Sequence, residues 1–84
     1  MRATTSPPVQ GTWTQEWAYG KAAQAMRYLA DNYPECAGSE ALDPYQDAVH
    51  EAAIRGDRAD YEEALREYMR AGRREALKIR KRAA

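Results

Sequence analysis

Eighty-four residues with 44% apolar side chains, 31% charged ones and a formal net charge of zero point to one small folded domain rather than a disordered or fibrous chain. A chain of this length buries only about 60 to 65% of its extended surface, which leaves little room for a deep catalytic cleft. No apolar run approaches the roughly 20 residues that span a bilayer, the first residues lack the apolar block of a signal peptide, and the one cysteine, Cys36, excludes an internal disulfide framework, so a cytoplasmic protein is expected.

Residues 1–11 contain Thr, Ser, Pro7, Pro8 and Gly11 and almost nothing to bury, which predicts a flexible leader or linker ahead of a single helical domain over 12–84. From Trp13 the composition changes to rings, Ala and long side chains. Stepping about 100° per residue collects Ala18, Ala22, Ala25, Met26, Leu29 and Tyr33 on one face, predicting a first helix over about 13–33. Thr12 or Thr14 supplies its cap, and Pro34 ends it by pushing Tyr33 out of the α region. Residues 34–42 are expected to form a loop.

The run Leu42-Asp43-Pro44-Tyr45-Gln46 then predicts a second helix over about 44–55, with Asp43 as N-cap, Pro44 at the first helical position and Gln46 three residues after the cap. Its apolar stripe is Tyr45, Ala48, Val49, Ala52 and Ala53, and Gly56 is the left-handed stop. Asp57 offers the cap of a third helix over about 58–81, whose stripe is Tyr61, Leu65, Tyr68, Gly72, Ala76 and Ile79. Because that stripe runs through Gly72, the glycine is expected to mark a close helix contact, with the last two turns overhanging the shorter second helix without support. Only two Val and two Ile occur in the whole chain, so nothing alternates as a strand would, and the expected fold is all-α. The two-residue connection at Gly56 and Asp57 makes the second and third helices antiparallel, with the first covering their seam in a small three-helix bundle.

The stretch GDRADYEEALREYMRAG, Gly56 to Gly72, resembles tetratricopeptide repeats, in which a Gly-Asp turn precedes a helix with small, apolar and aromatic residues at similar spacing. The resemblance covers one hairpin. Arg58 to Asp60 depart from the pattern, and no second copy follows at the period of about 34 residues that a stacked array requires, so it implies no function here.

Two surfaces are left to carry a function. Charge is distributed unevenly: residues 1–63 hold 5 basic and 11 acidic residues, net −6, while residues 64–84 hold 8 and 2, net +6. On the third helix Arg66, Arg70, Arg74, Lys78 and Arg82 form an i,i+4 row, with Arg73, Arg80 and Lys81 beside it on the outer side and Glu62, Glu67 and Glu75 placed to relieve it. These eight cations are the candidates for nucleic-acid phosphates or an acidic partner. The competing explanation is a solvated helix end, since cations near a C-terminus are favoured by the macrodipole. Without Asn, Gln, Ser or Thr among them, only non-specific contact is expected. On the first helix Trp13, Trp17 and Tyr28 lie off the apolar stripe as a second ridge, which either fills a groove of the bundle or stands exposed as a protein interface.

Catalytic chemistry has little to start from. Cys36 and His50 are a conceivable nucleophile and base, but a single Cys and a single His occur together by chance in many small chains. Ligand sets for zinc or di-iron, phosphate-binding glycine loops and hydrolase motifs are all missing, so no catalytic residue, metal, cofactor or small-molecule substrate is expected. The expected function is a non-enzymatic interaction or regulatory module that binds a protein partner or itself through helix surfaces, with non-specific nucleic-acid contact through the basic face of the third helix as the alternative.

Overall fold

The computed structural model describes residues 14–83, so the expected leader at 1–11 and Trp13 lie outside the described residues. Three α-helices account for most of the chain: α1 (Gln15–Asn32), α2 (Asp43–Arg55) and α3 (Arg58–Ala83). No strand occurs among the described residues. Each boundary has a local cause. Thr14 is extended and its hydroxyl accepts the Trp17 amide at 3.1 Å, which caps α1. Gly56 takes the left-handed conformation (φ 73°) that ends α2, and the Asp57 carboxylate accepts the Asp60 amide at 3.0 Å to open α3.

The start of α2 differs from expectation. Asp43 is its first helical residue rather than its N-cap, because the backbone is already helical at Leu42. The connection from α1 is not an irregular loop but two 3-10 turns, Pro34–Cys36 and Glu40–Leu42, and the capping hydroxyl belongs to Ser39, which accepts the Ala41 amide at 3.3 Å. The two turns carry Cys36 and Leu42, both of which are buried against α3.

α3 is the axis of the fold. Its 26 residues, about 39 Å long, carry the buried positions Tyr61, Leu65, Tyr68, Ala71, Gly72 and Ala76. The helix runs straight through Gly72, where a Cβ would meet both δ-carbons of Leu29 at 2.8 Å and the Cys36 sulfur at 3.3 Å. The glycine is therefore where α1 and the first 3-10 turn come closest to α3. Toward the N-terminal end of α3, Tyr61 packs among Ala18, Ala25, Ala52 and Leu65, and its hydroxyl donates to the Ala18 carbonyl at 2.9 Å. α1 thus runs parallel to α3, and α2 antiparallel to both.

The first helix does not cover the seam between the other two. α1 and α2 each lie along α3, yet they barely touch one another. Small residues explain the asymmetry: Ala18 and Ala25 of α1 and Ala52 of α2 let both helices approach α3 closely, and α3 fills the centre with Tyr61, Leu65 and Tyr68.

The last turns of α3 are also better held than expected. The Arg80 guanidinium forms a two-pronged pair with Glu35, at 2.6 and 2.9 Å, donates to the Asn32 carbonyl at 2.7 Å, and lies 5.3 Å from the centre of the Tyr33 ring. Arg80 stays exposed, yet its side chain reaches across to the end of α1 instead of standing free on the outer side. This hydrogen-bonded pair holds the Glu35 carboxyl below the usual carboxylate range. A carboxyl depressed on folding contributes stability that is present above its unfolded value, near 4.5, and lost as pH falls through the folded one. Arg80→Gln is expected to lower the thermal midpoint by a few degrees at neutral pH, with the gap from wild type closing below about pH 4. Circular dichroism melts at several pH values check this, and a gap that stays constant into acid would show that Glu35 is not the partner that matters.

Candidate functional site

Where α1 and α2 stand apart, a groove opens with α3 as its floor. Ala22 and Met26 form one wall, Gln46 and Val49 the other, and Leu65 and Tyr68 lie beneath, around a space of about 280 Å³. It continues past Met26, Gln46 and Tyr68 into a second depression floored by Leu29, Cys36 and Leu42. Met26, expected in the core, is 60% exposed at the rim. Its position explains this, since it sits about 100° around α1 from Ala25, at the edge of the buried arc, and only a helix filling the groove would cover it. Tyr19 (67% exposed), one turn before Ala22, continues the same flank of α1, whereas Ile54 (73%) stands on the outer face of α2, about 140° around that helix from Val49. Ala48, also assigned to the core stripe, is exposed.

The groove is nearly free of charge in a chain where 31% of residues are charged. Tyr19, Ala22, Ala23, Met26 and Ala30 carry none along α1, Gln46, Val49 and Ala53 none along α2, and Asp43 stands at one end. Sequence reasoning missed this site because the same small and apolar stripes that describe a closed bundle also describe an open one. The available signal was Met26, which stands at the edge of the α1 stripe, about 80° around the helix from Ala18.

The predicted aromatic ridge does not form one surface. Trp17 is half-buried against Tyr61, ring centres 5.8 Å apart, with the Arg58 guanidinium 4.1 Å above its face. It fills the seam between α1 and the start of α3. Tyr28, eleven residues further along, is 42% exposed and meets Tyr33 edge to face at 5.8 Å. Hydrogen bonding with Tyr33 is the main cause that raises the Tyr28 pKa above its ordinary 10.0.

The cationic row is likewise divided. Each i,i+4 step advances about 400°, so the row drifts about 40° per step and turns roughly 160° around α3 between Arg66 and Arg82. Arg66 and Arg70 face outward and pair with Glu63 (2.7 Å) and Glu67 (2.6 Å), while the Arg73 Nε donates to the Tyr33 hydroxyl at 3.1 Å. Arg74 has turned toward α2 and donates to the Tyr45 hydroxyl at 3.1 Å, and Lys78 lies 3.5 Å from Glu75. Lys81 and Arg82 are exposed in the last turn. Glu62, expected to relieve this row, reaches Lys21 of α1 instead, at 3.9 Å. Tyr28, Arg66, Arg70 and Arg73 come together with Met69 around a shallow concavity on the seam of α1 and α3.

Cys36 is buried beneath this framework, and burial is the main cause that pushes its thiol above the ordinary 9.0, which favours the less nucleophilic protonated form. His50 is exposed on α2. Among the described residues no His, Cys, Asp or Glu cluster forms a metal-binding set, and no helix is long and apolar enough to cross a membrane. No protein-family model matches the chain, and neither a curated protein nor a solved structure matches it significantly.

Proposed function

We propose that this chain is a non-enzymatic helical interaction module that pairs with a second copy of itself across the groove between α1 and α2. One observation carries the reading: two helices pack on a common third and leave an apolar, uncharged channel between them, with Met26 exposed at its rim and Tyr19 exposed on the same flank of α1. Met26 and Tyr19, large apolar side chains exposed on one flank of α1 beside this depression, mark an interaction surface. The lack of charge favours a like partner, because a two-fold axis sets a patch against itself and a charged patch would repel its own copy. Ala22, Ala23 and Ala30 permit close approach of a facing α1, and Met26 is a flexible knob suited to the opposite groove.

The contact is expected to be weak. From Tyr19 to Ala30 the wall is only about 17 Å long, short of what supplies the roughly 800 Å² per partner of standard interfaces, so a micromolar dissociation constant follows. Such an equilibrium suits a regulatory element, and a reducing, cytoplasmic setting fits a free cysteine held in the core. Light scattering between about 1 μM and about 1 mM, the span that brackets weak pairs, is expected to show the mass doubling. Met26→Glu is expected to raise the dissociation constant by at least about tenfold with unchanged helicity, since it places a charge against its own copy. A monomer mass across the whole range would overturn the pairing.

A further inference from the structure

Beyond self-association, we propose that the seam of α1 and α3 around Tyr28, Arg66, Arg70 and Arg73 binds single-stranded nucleic acid without sequence preference. The winding of the cationic row rules out one continuous basic face, but it leaves three guanidiniums beside one partly exposed aromatic ring, over an apolar base formed by Met69. Their spacing, i, i+4 and i+7, sets them about 4.5 to 6 Å apart along the helix axis. Arg66 and Arg70 each give one short contact to a glutamate on the preceding turn, and these pairs are exposed, so a phosphate can displace or share them at little cost. The remaining N–H donors of each fork stay available.

Arg73 and Tyr28 are already ordered. The Arg73 Nε is tied to the Tyr33 hydroxyl, which leaves its terminal nitrogens for a ligand, and Tyr28 is braced by the edge-to-face contact with Tyr33. Anchoring both groups before binding lowers the ordering cost of the complex. Alternating cations and an open ring select a polymer in which anionic groups alternate with flat ones, as phosphates alternate with bases in a single strand. An acidic peptide would engage the arginines and leave Tyr28 without a role. The seam lies on a different side of α1 from the groove, so the two surfaces are independent.

The test is fluorescence anisotropy with a labelled oligothymidylate at about 50 mM salt, where phosphate binding is strongest. Three neutralised phosphates are expected to give a slope of log affinity against log salt of about −2. Tyr28→Ala is expected to weaken binding about tenfold without changing that slope, and Tyr28→Phe to leave it nearly unchanged, because stacking needs the ring and not the hydroxyl. The Arg66→Gln, Arg70→Gln, Arg73→Gln triple variant, with helicity verified, is expected to abolish the slope. No binding at low salt, binding indifferent to Tyr28→Ala, or equal affinity for a polyglutamate peptide would each overturn the proposal.

Discussion

Gly72→Leu is expected to cost more than about 3 kcal/mol, a large part of the roughly 4 to 12 kcal/mol available to a chain of this size. On helix propensity alone the substitution is favourable, by close to 1 kcal/mol. Space decides against it. The first added carbon alone would stand 2.8 Å from both δ-carbons of Leu29 and 3.3 Å from the Cys36 sulfur. Leu29 is buried, and because both of its branches are approached, a rotation that withdraws one brings up the other. Gly72→Ala sets the same propensity gain against about 1 to 3 kcal/mol of overpacking, for a net loss of about 0 to 2 kcal/mol. In a Leu29→Ala background both 2.8 Å clashes are gone and only the 3.3 Å approach to the Cys36 sulfur remains, so Gly72→Ala should become stabilising. Urea titrations of the four proteins in that cycle measure the reversal; a Gly72→Ala that stabilises wild type would show that the contact at α1 is looser than the structure has it.

Tyr61 is the second position of large effect. Removing its ring by Tyr61→Ala should cost about 3 to 5 kcal/mol, as expected for a buried aromatic, with Trp17 losing the surface it rests on. Tyr61→Phe removes only the hydroxyl that donates to the Ala18 carbonyl and should cost about 1 kcal/mol. The two variants also separate in alkali. Burial raises the Tyr61 pKa above 10.0, so its contribution to stability is fully present below that value and is lost as pH rises through the folded one. Tyr61→Phe cannot ionise, and its deficit relative to wild type should shrink above about pH 10. Denaturant midpoints at pH 8 and at about pH 11 provide the comparison.

The two proposed surfaces arise on the two flanks of α1, for different reasons. Because α1 and α2 pack on α3 and scarcely on each other, the side of α1 away from α3 is not absorbed into a core, and Met26 and Tyr19 remain exposed. On its other flank α1 meets α3 through Lys21, Gln24 and Tyr28, where long and polar-tipped side chains leave shallow seams instead of tight packing. A protein of this kind can present an apolar groove and a cationic seam at once, with salt acting strongly on the second and little on the first.

The chain by itself determined the three helices and nearly all their ends. Thr14, Gly56 and Asp57 act through bonds to residues within four positions, and a stripe at helical spacing needs no knowledge of what it packs on. Even the close contact at Gly72 was legible, because a glycine in the middle of an apolar stripe has few other reasons to be there. The start of α2 was not, because Asp43 lost its capping role to a 3-10 turn whose purpose is to bury Leu42 against a helix that comes later in the chain. Only tertiary structure decided which cations face each other. An i,i+4 row drawn from sequence looks straight, while a real helix carries it around, so that Arg66 and Arg70 pair with Glu63 and Glu67 and Arg74 reaches Tyr45; of the cations beside the row, Arg73 reaches Tyr33 and Arg80 closes over Glu35. The groove belongs to the same class: periodicity tells which residues seek cover, and only the arrangement of α1 and α2 on α3 tells which of them have found it.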